Sequence, residues 1–390
     1  MHHVMRRFKP PAVALLLVAL LGRRARAQCG RASCPPAPSH STVHIWHVEQ
    51  GTMSNRPTLA FMYHPAIATL RRGLEAFANA SAGRWRVATR AIRVGVDPAE
   101  QRAILFRRFN NQCDVFARDV FVWIGAGHED VPWACLRARG AHAVLYQTEP
   151  HGDACVRTDV DELWDYSHFN LKACARANAS AAPRARYVPP GFHGGYPFVA
   201  ADRPIAALTF FGSPKQGRRR QCWQLLKSQV GAALRSVYNV WSEDAFVAFL
   251  RAANDTAFTH LHKSCDEVLE GGAAWRPLPA FRDAALLNAG RLVISERCDE
   301  DDEREFAGLV DFFELRDIAR EYRRVTRVPV SELRTLLLAR YEDFVRRFDP
   351  ELLFRRAGIY ELLDELWARR AEDAKASPLP PPEPARDRIR

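Results

Sequence analysis

The sequence predicts an α/β protein in which two doubly wound parallel sheets face each other across a cleft. Strand-like and helix-like segments alternate along most of the 390 residues, and the alternation runs twice. Most strand candidates are near-continuous apolar runs, which is typical of parallel strands covered by helices on both faces. A chain of 390 residues is also long enough for two domains, each with its own core.

The first series of elements ends near residue 200, and the second begins at Pro204. In the first, strands are expected at Thr42–Val48, Trp85–Arg93, Asp119–Ile124, Ala141–Gln147 and Arg186–Val188, with helices at His64–Asn79, Asp97–Asn110, Pro132–Arg139 and Asp161–Ala175. In the second, strands are expected at Ile205–Phe211, Ser236–Trp241, Ala257–His262, Arg291–Glu296 and Gly308–Phe313, with helices at Arg218–Val230, Glu243–Ala253, Leu278–Ala289 and Leu315–Arg324. Residues 42–200 and 201–329 are therefore interpreted as two domains.

The remaining carboxyl-terminal residues divide into two segments. Val330–Arg370 is predicted to be helical throughout, so that residues 330–372 form carboxyl-terminal helices. The Pro-rich, charged residues 373–390 are expected to be a disordered tail.

The amino-terminal residues are typical of a secretory leader. Basic residues precede an apolar run from Ala12 to Leu21, and Ala25-Arg26-Ala27 matches a signal-peptidase site. The apolar run is short for a bilayer, so residues 1–27 are interpreted as a signal peptide, with a short signal anchor as the alternative. Residues 28–41 are interpreted as a linker. We therefore expect the protein in the secretory pathway, either in the ER or Golgi lumen or outside the cell.

Two further features agree with that compartment. Sequons for N-glycosylation begin at Asn79, Asn178 and Asn254. Nine cysteines allow up to four disulfides with one thiol remaining: Cys29, Cys34, Cys113, Cys135, Cys155, Cys174, Cys222, Cys265 and Cys298. Since no pair has C-x-x-C spacing, a zinc ribbon or a thioredoxin motif is disfavoured.

The net charge of +11 does not by itself indicate nucleic-acid binding. Arginine supplies most of the positive charge, and no basic stripe with interleaved aromatic residues accompanies it. Neither G-x-S-x-G nor H-E-x-x-H occurs, which disfavours the commonest hydrolase and zinc-protease classes. Nucleic acid is therefore not expected as a partner.

The segment from Ala207 to Leu226 carries the strongest functional signal. It reads as a buried strand, a glycine-bearing cationic loop and an amphipathic helix, and such a helix N-terminus favours a phosphate. The loop Gly212–Gly217 has the glycine spacing of a P-loop, but Arg218 and Arg219 replace Lys-Ser/Thr, which disfavours an ATPase or kinase. The loop glycine and the arginines at 218–220 are expected to hold a diphosphate, the alternative being a solvated turn.

Four other polar clusters could take part in binding or have a structural role. His260 and His262 lie on one strand face without an evident third metal ligand, so hydrogen bonding to phosphate or sugar is expected. Asp159-Val-Asp161 matches D-x-D but is better explained as a helix N-terminus, and Asp299–Glu303 as a solvated loop. Ser295 and Glu296 end a strand near the cleft rim, where a carboxylate accepts hydrogen bonds from sugar hydroxyls.

Taken in order, several motifs resemble GT-B-type glycosyltransferases, in particular a poorly characterised microbial and algal group related to the family-1 and family-4 retaining enzymes. The motifs are Tyr146-Gln-Thr-Glu149, Trp164-Asp-Tyr-Ser-His-Phe-Asn170, Arg186-Tyr-Val-Pro-Pro-Gly-Phe192, Phe210-Phe-Gly-Ser213 with its arginines, Thr259-His-Leu-His262, and Phe281-Arg282 through Asn-Ala-Gly290 to Glu296. The resemblance covers roughly residues 100–325 and implies two Rossmann-like domains.

The resemblance also implies a function and a set of residues. The carboxyl-terminal domain would bind a nucleoside-diphosphate sugar and the amino-terminal domain a glycan, protein or lipid acceptor, without a divalent metal or cofactor. It implies that donor binding involves Gly212, Ser213, Arg218, Arg219, His262, Arg282 and Glu296. The candidates for acceptor binding are Glu149 and Asp165.

The sequence departs from the better-known retaining enzymes at one motif. Their E-x7-E carboxylates would fall at Pro277 and Ala285, neither of which is acidic. A non-catalytic descendant that binds glycans or partners is therefore the alternative. A P-loop-like phosphotransferase or sulfotransferase is a third interpretation.

Overall fold

The computed structural model describes residues 39–48, 63–92, 118–125, 131–148, 159–177, 183–214, 219–237, 243–261 and 277–376. The predicted fold class is confirmed within these residues, because they form one six-stranded and one five-stranded parallel sheet with helices between the strands. We call the two sheets with their helices the first and the second lobe.

The first lobe contains the strands β1 (Ser41–Val48), β2 (Trp85–Ile92), β3 (Val120–Ile124), β4 (His142–Gln147), β5 (Glu162–Asp165) and β6 (Arg184–Tyr187), with helices α1 (His64–Ala80), α2 (Trp133–Ala138) and α3 (His168–Ala177). Its strand order is β2-β1-β3-β4-β5-β6. Every residue of β3 is buried, as expected for a central parallel strand covered on both faces.

The second lobe contains β7 (Ala207–Phe211), β8 (Leu234–Val237), β9 (Thr256–His260), β10 (Val293–Glu296) and β11 (Asp311–Phe313), with helices α4 (Arg219–Val230), α5 (Glu243–Ala252), α6 (Ala280–Asn288), α7 (Glu300–Glu305) and α8 (Leu315–Val325). Its strand order is β11-β10-β9-β7-β8. Both lobes therefore repeat one arrangement, in which the first strand lies between the second and the third. The order reverses beside that first strand, and doubly wound sheets bind ligands outside the carboxyl ends of the strands at this point.

Three helices follow the second sheet, which confirms the helical prediction for the carboxyl-terminal region. They are α9 (Val330–Arg347), α10 (Pro350–Arg356) and α11 (Ile359–Ala376). Leu333 and Leu337 of α9 pack into the core of the second lobe. The chain then returns to the first lobe, where the Tyr360 hydroxyl in α11 donates to the carbonyl of Gly73 in α1 at 2.8 Å. The carboxyl-terminal helices thus join the two lobes.

Helix α6 lies where the lobes meet. The ring of Phe281 contacts the rings of Tyr63, Tyr146 and Tyr166, which all belong to the first lobe. Gly290 follows this helix with φ +67°, as predicted for the glycine that ends it. The contacts of Phe281 therefore anchor the first turn of α6 to the first lobe, where the two lobes meet.

The predicted helix at Asp161–Ala175 is wrong in its first half. Glu162–Asp165 form β5, and the helix begins only at His168. Both terminal acids of β5 are buried, because Arg186 pairs with Glu162 at 2.7 Å and Asn170 donates to Asp165 at 3.0 Å. The D-x-D residues therefore precede a strand and are not at a helix N-terminus.

The predicted solvated loop at Asp299–Glu303 is also wrong. Asp299 caps α7, and Asp302 within that helix is fully buried. The Asp302 carboxylate accepts hydrogen bonds from the Ser167 hydroxyl at 2.6 Å and from the His168 backbone N–H at 2.7 Å. This acid is buried because it joins the second lobe to the start of α3 in the first.

Some expectations fall outside the described residues. These are the leader, most of the linker, the helix at Asp97–Asn110, the sequon at Asn178 and the tail from Ser377. No helix in the described part of the chain has the length and apolarity needed to cross a membrane. Cys135, Cys174 and Cys222 are disulfide-bonded and Cys298 is free, while the wider disulfide pairing stays a prediction.

Candidate functional site

The candidate site lies where the strand order of the second sheet reverses. Strands β7 and β9 are neighbours, and in doubly wound sheets the carboxyl ends of two such strands border the crevice that binds ligands. One loop begins at Gly212 and leads to α4, and the other begins at Leu261. The loop predicted from sequence to hold a phosphate is therefore at the expected place in the fold.

Arg219 joins the two loops. It is the first residue of α4 and is only 2% exposed. Its guanidinium group donates to the carbonyl of Leu261 at 3.1 Å and to that of Ser213 at 3.2 Å, and it lies 5.1 Å from the centre of the Phe210 ring. The sequence did not indicate this burial. Arg219 is thus positioned beneath the loop surface, where it fixes the shape of the loop.

Gly212 makes the close approach between this loop and helix α6. Its φ of +152° is one that residues with a side chain rarely adopt, and a Cβ there would lie 3.0 Å from the Phe210 ring. The same Cβ position is 3.5 Å from Nη1 of Arg282, in the first turn of α6. The guanidinium group of Arg282 therefore lies against the loop backbone.

The charges of the site act on one another. Burial and the positive charge of Arg282 together lower the pKa of Arg219 to about 9, whereas Glu296 opposes the shift. Glu296 ends β10, as predicted. Its side chain is only 1% exposed, so it is buried and does not stand at the cleft rim. Two cations and one carboxylate are thus concentrated around the loop.

Most of the predicted donor residues therefore come together. Gly212, Ser213, Arg219, Arg282 and Glu296 all lie around the crevice. Arg218 and His262, and Glu149 on the acceptor side, lie outside the described residues. Their roles stay predictions.

Helix α6 carries a carboxyl group that the sequence analysis missed. Of the two E-x7-E positions, Ala285 is buried within α6 and Pro277 precedes the helix. Asp283, beside Arg282, is 1% exposed, and burial raises its pKa to about 8 although Arg282 opposes the shift. The signal that could have identified this carboxyl group is its position, two residues before Ala285, where the E-x7-E motif has its second glutamate.

Asp165, proposed for the acceptor side, is buried at the carboxyl end of β5. One carboxylate oxygen accepts hydrogen bonds from the Ser167 backbone N–H at 2.9 Å and from the Asn170 side chain at 3.0 Å. Burial raises its pKa to about 8, and these two hydrogen bonds oppose the rise. In this structure the carboxyl group organises the start of α3.

A second polar cluster near the lobe junction was also missed. The rings of His64 and His193 are 5.5 Å apart, and the Tyr196 ring is 4.7 Å from that of His193. Burial, followed by the positive charges of His64 and Arg72, lowers the pKa of His193 to about 3. His64 is separated from His193 and Tyr196 by more than a hundred positions, so no local pattern could have joined them.

The described residues contain no group of three or more His, Cys, Asp or Glu side chains arranged to hold a metal. His260 is buried at the end of β9, and its predicted partner His262 lies outside the described residues. The guanidinium groups of Arg219 and Arg282 are side chains that can bind an anion.

No protein-family model and no curated protein matches the sequence. Among solved structures, a glycosyltransferase from Rickettsia africae is 8% identical with a TM-score of 0.43, over 84% of this chain and 99% of its own. HepE of Anabaena, solved with UDP-glucose, is 12% identical with a TM-score of 0.41, over 86% of this chain and all of its own. The pneumococcal O-GlcNAc transferase GtfA, solved with UDP and GlcNAc, is 11% identical with a TM-score of 0.40.

The chain covers 60% of GtfA and 57% of a complex of accessory secretory proteins from Streptococcus pneumoniae, less than two thirds of either. Glycosyltransferases, the class that the motifs resemble, are thus among the matching structures. The likeness concerns the fold, and no residue role is transferred from those proteins to this chain.

Proposed function

We propose that the protein is a GT-B glycosyltransferase of the secretory pathway. It transfers a sugar from a nucleoside-diphosphate donor to a glycan, protein or lipid acceptor without a divalent metal. The observation that carries the proposal is the convergence of Gly212, Arg219 and Arg282 where the strand order of the second sheet reverses.

The charges favour a dianionic ligand at this place. The positive charge of Arg282 lowers the pKa of Arg219 and Glu296 opposes the shift, so an added anion beside these two guanidinium groups would be attracted by both. A diphosphate supplies that anion and accepts hydrogen bonds from both charged groups and backbone amides. The half-buried Arg282 is placed to contact it directly, while Arg219 holds the loop.

This arrangement fits the electrostatic demand of sugar transfer. The bond between the sugar C1 and the diphosphate oxygen breaks, an acceptor hydroxyl oxygen bonds to C1 and releases its proton, and negative charge grows on the departing diphosphate. Fixed cations aimed at that oxygen stabilise the charge without reorganising during the reaction. Arg282 and the amides after Gly212 therefore have the role that a metal has in other transferases.

The proposal is tested by nucleotide binding to the full chain. We expect UDP or GDP to bind, and Arg282→Ala to weaken that binding about tenfold or more, since a hydrogen bond to a charged group contributes about 1.5–3 kcal/mol. Arg320→Ala removes an exposed arginine from α8 and serves as the control. Equal affinity in the parent and Arg282→Ala, with both folded, would contradict the proposal.

A second candidate function is a non-catalytic glycan- or partner-binding protein with the same fold. Ala285 and Pro277 at the E-x7-E positions favour it, because neither side chain can bind ribose through a carboxylate. Hydrolysis of UDP-glucose, UDP-N-acetylglucosamine and GDP-mannose by the parent chain separates the two. Nucleotide binding without hydrolysis or transfer of any donor supports the non-catalytic function.

A further inference from the structure

A basic pocket lies at the opposite edge of the first sheet from the cleft. Ala141 and Asp161 directly precede β4 and β5, and Arg118 lies two positions before β3, so they mark the amino ends of three parallel strands. A six-residue strand such as β4 separates the two edges by about 20 Å. The pocket is therefore distinct from the proposed donor site.

The pocket has a volume of about 360 Å³, and four of its nine lining residues are arginines. Four arginines surround it, namely Arg118, Arg137, Arg369 and Arg370, together with His142. Asp161 is the lining carboxylate, and it is engaged with the Arg137 side chain at 3.3 Å and with a backbone amide at 2.8 Å. Positive charge thus exceeds negative charge around a cavity large enough for a small ligand.

Two of the arginines are held by the fold. Arg118 donates to the carbonyl of Arg370 at 2.6 Å, and Arg370 donates to the Ser41 hydroxyl at 2.5 Å. These bonds fix Arg118 and Arg370 against the first sheet, while the more exposed Arg137 and Arg369 pair with Asp161 and Glu365. Positioned arginines bind tetrahedral oxyanions through paired hydrogen bonds.

Arg118 also has an unusual backbone. Its φ is +72°, a left-handed conformation that is strained for a residue with a long side chain, and its N–H donates to the carbonyl of Gly140 at 2.8 Å. Strained residues of this kind cluster at ligand sites, where the surrounding structure holds them. Arg118 lines the pocket together with the other three arginines.

We propose that this pocket binds a phosphate or sulfate group. The group is carried on a sugar ester or is a free inorganic ion, and the site does not depend on the proposed transfer reaction. Four guanidinium groups match the charge and the several acceptor oxygens of such an anion. A neutral sugar gains nothing from them.

The test is calorimetric titration of the full chain at low ionic strength. The probes are inorganic phosphate, inorganic sulfate, glucose 6-phosphate, glucose 6-sulfate and uncharged glucose. We expect the anions to bind and glucose not to bind. Tighter binding of the esters identifies a sugar-borne group, and equal or tighter binding of the inorganic ions identifies a free ion.

Matched variants locate the binding. Arg137→Ala with Arg369→Ala removes two partly exposed pocket arginines and is expected to weaken anion binding about tenfold or more. Arg320→Ala with Arg346→Ala removes the same charge from α8 and α9 and is expected to have no effect. Arg282→Ala is expected to retain the binding, which distinguishes this site from the donor site.

Two results would overturn the inference. One is that no phosphate or sulfate probe binds the parent chain more tightly than glucose does. The other is that the pocket double variant, with an unchanged melting temperature, binds the anions as tightly as the parent. Arg369→Lys keeps the charge but loses the paired hydrogen bonds, so it is expected to bind the anions more weakly than the parent and more tightly than Arg369→Ala.

Discussion

Replacing Asp165 by asparagine is expected to change how stability depends on pH. Burial raises the pKa of Asp165 from 3.8 to about 8. The folded protein therefore keeps a proton that the unfolded chain releases, and stability falls as pH rises from about 4 to about 8. Asp165→Asn removes this proton linkage while leaving an oxygen that accepts the hydrogen bond of the Ser167 backbone.

The size of the change in unfolding free energy follows from the pKa shift of Asp165. Each pH unit between the unfolded and folded pKa values contributes about 1.4 kcal/mol, so between pH 6 and pH 8 the variant gains about 2–3 kcal/mol relative to the parent. Asp283, whose pKa is also raised to about 8, contributes equally to both proteins and cancels in the comparison.

The assay is urea unfolding of the parent and the variant at pH 6, 7 and 8. Asp364→Asn, which alters an exposed carboxylate, is the control and is expected to show no such trend. If the difference in unfolding free energy between the parent and Asp165→Asn stays constant over this range, Asp165 is not buried as described.

Two further substitutions test the packing that positions the site. Glu162→Ala leaves the guanidinium group of Arg186 buried without its carboxylate, so the free energy of unfolding should fall by about 3–5 kcal/mol in denaturant titrations, against almost no change for Glu365→Ala. Gly290→Ala forces a Cβ to within 2.4 Å of the Phe198 ring at a positive φ, whereas Gly231→Ala has a similar φ and open space. Thermal unfolding should therefore show about 1 kcal/mol lost at Gly231 and clearly more at Gly290, and equal losses would contradict the packing of α6.

The alternation of strands and helices was predictable because its signal is local. The near-continuous apolar strands β3 and β7 and the glycine after α6 each carry their information within a few residues. The same holds for the glycine-bearing loop at Gly212, which follows the buried strand β7 as the sequence predicts, while its role in binding stays a prediction.

The errors arose where polar residues are buried by partners distant in sequence. Glu162 is buried because of Arg186, and Asp302 because of Ser167, which is 135 positions away. Local patterning treats such acids as solvated. The burial of Arg219 was missed for the same reason, since its partners are carbonyl groups that only the folded sheet brings together.

A crystal structure of the chain with UDP or GDP directly tests the central claim, which is that the nucleotide diphosphate binds beside Gly212 and Arg282. We expect the diphosphate between the backbone that follows Gly212 and the guanidinium group of Arg282, with Arg219 still bonded to the Leu261 carbonyl. Nucleotide bound elsewhere, or an Arg282 side chain turned away from the crevice in the complex, would contradict the assignment of this crevice as the donor site.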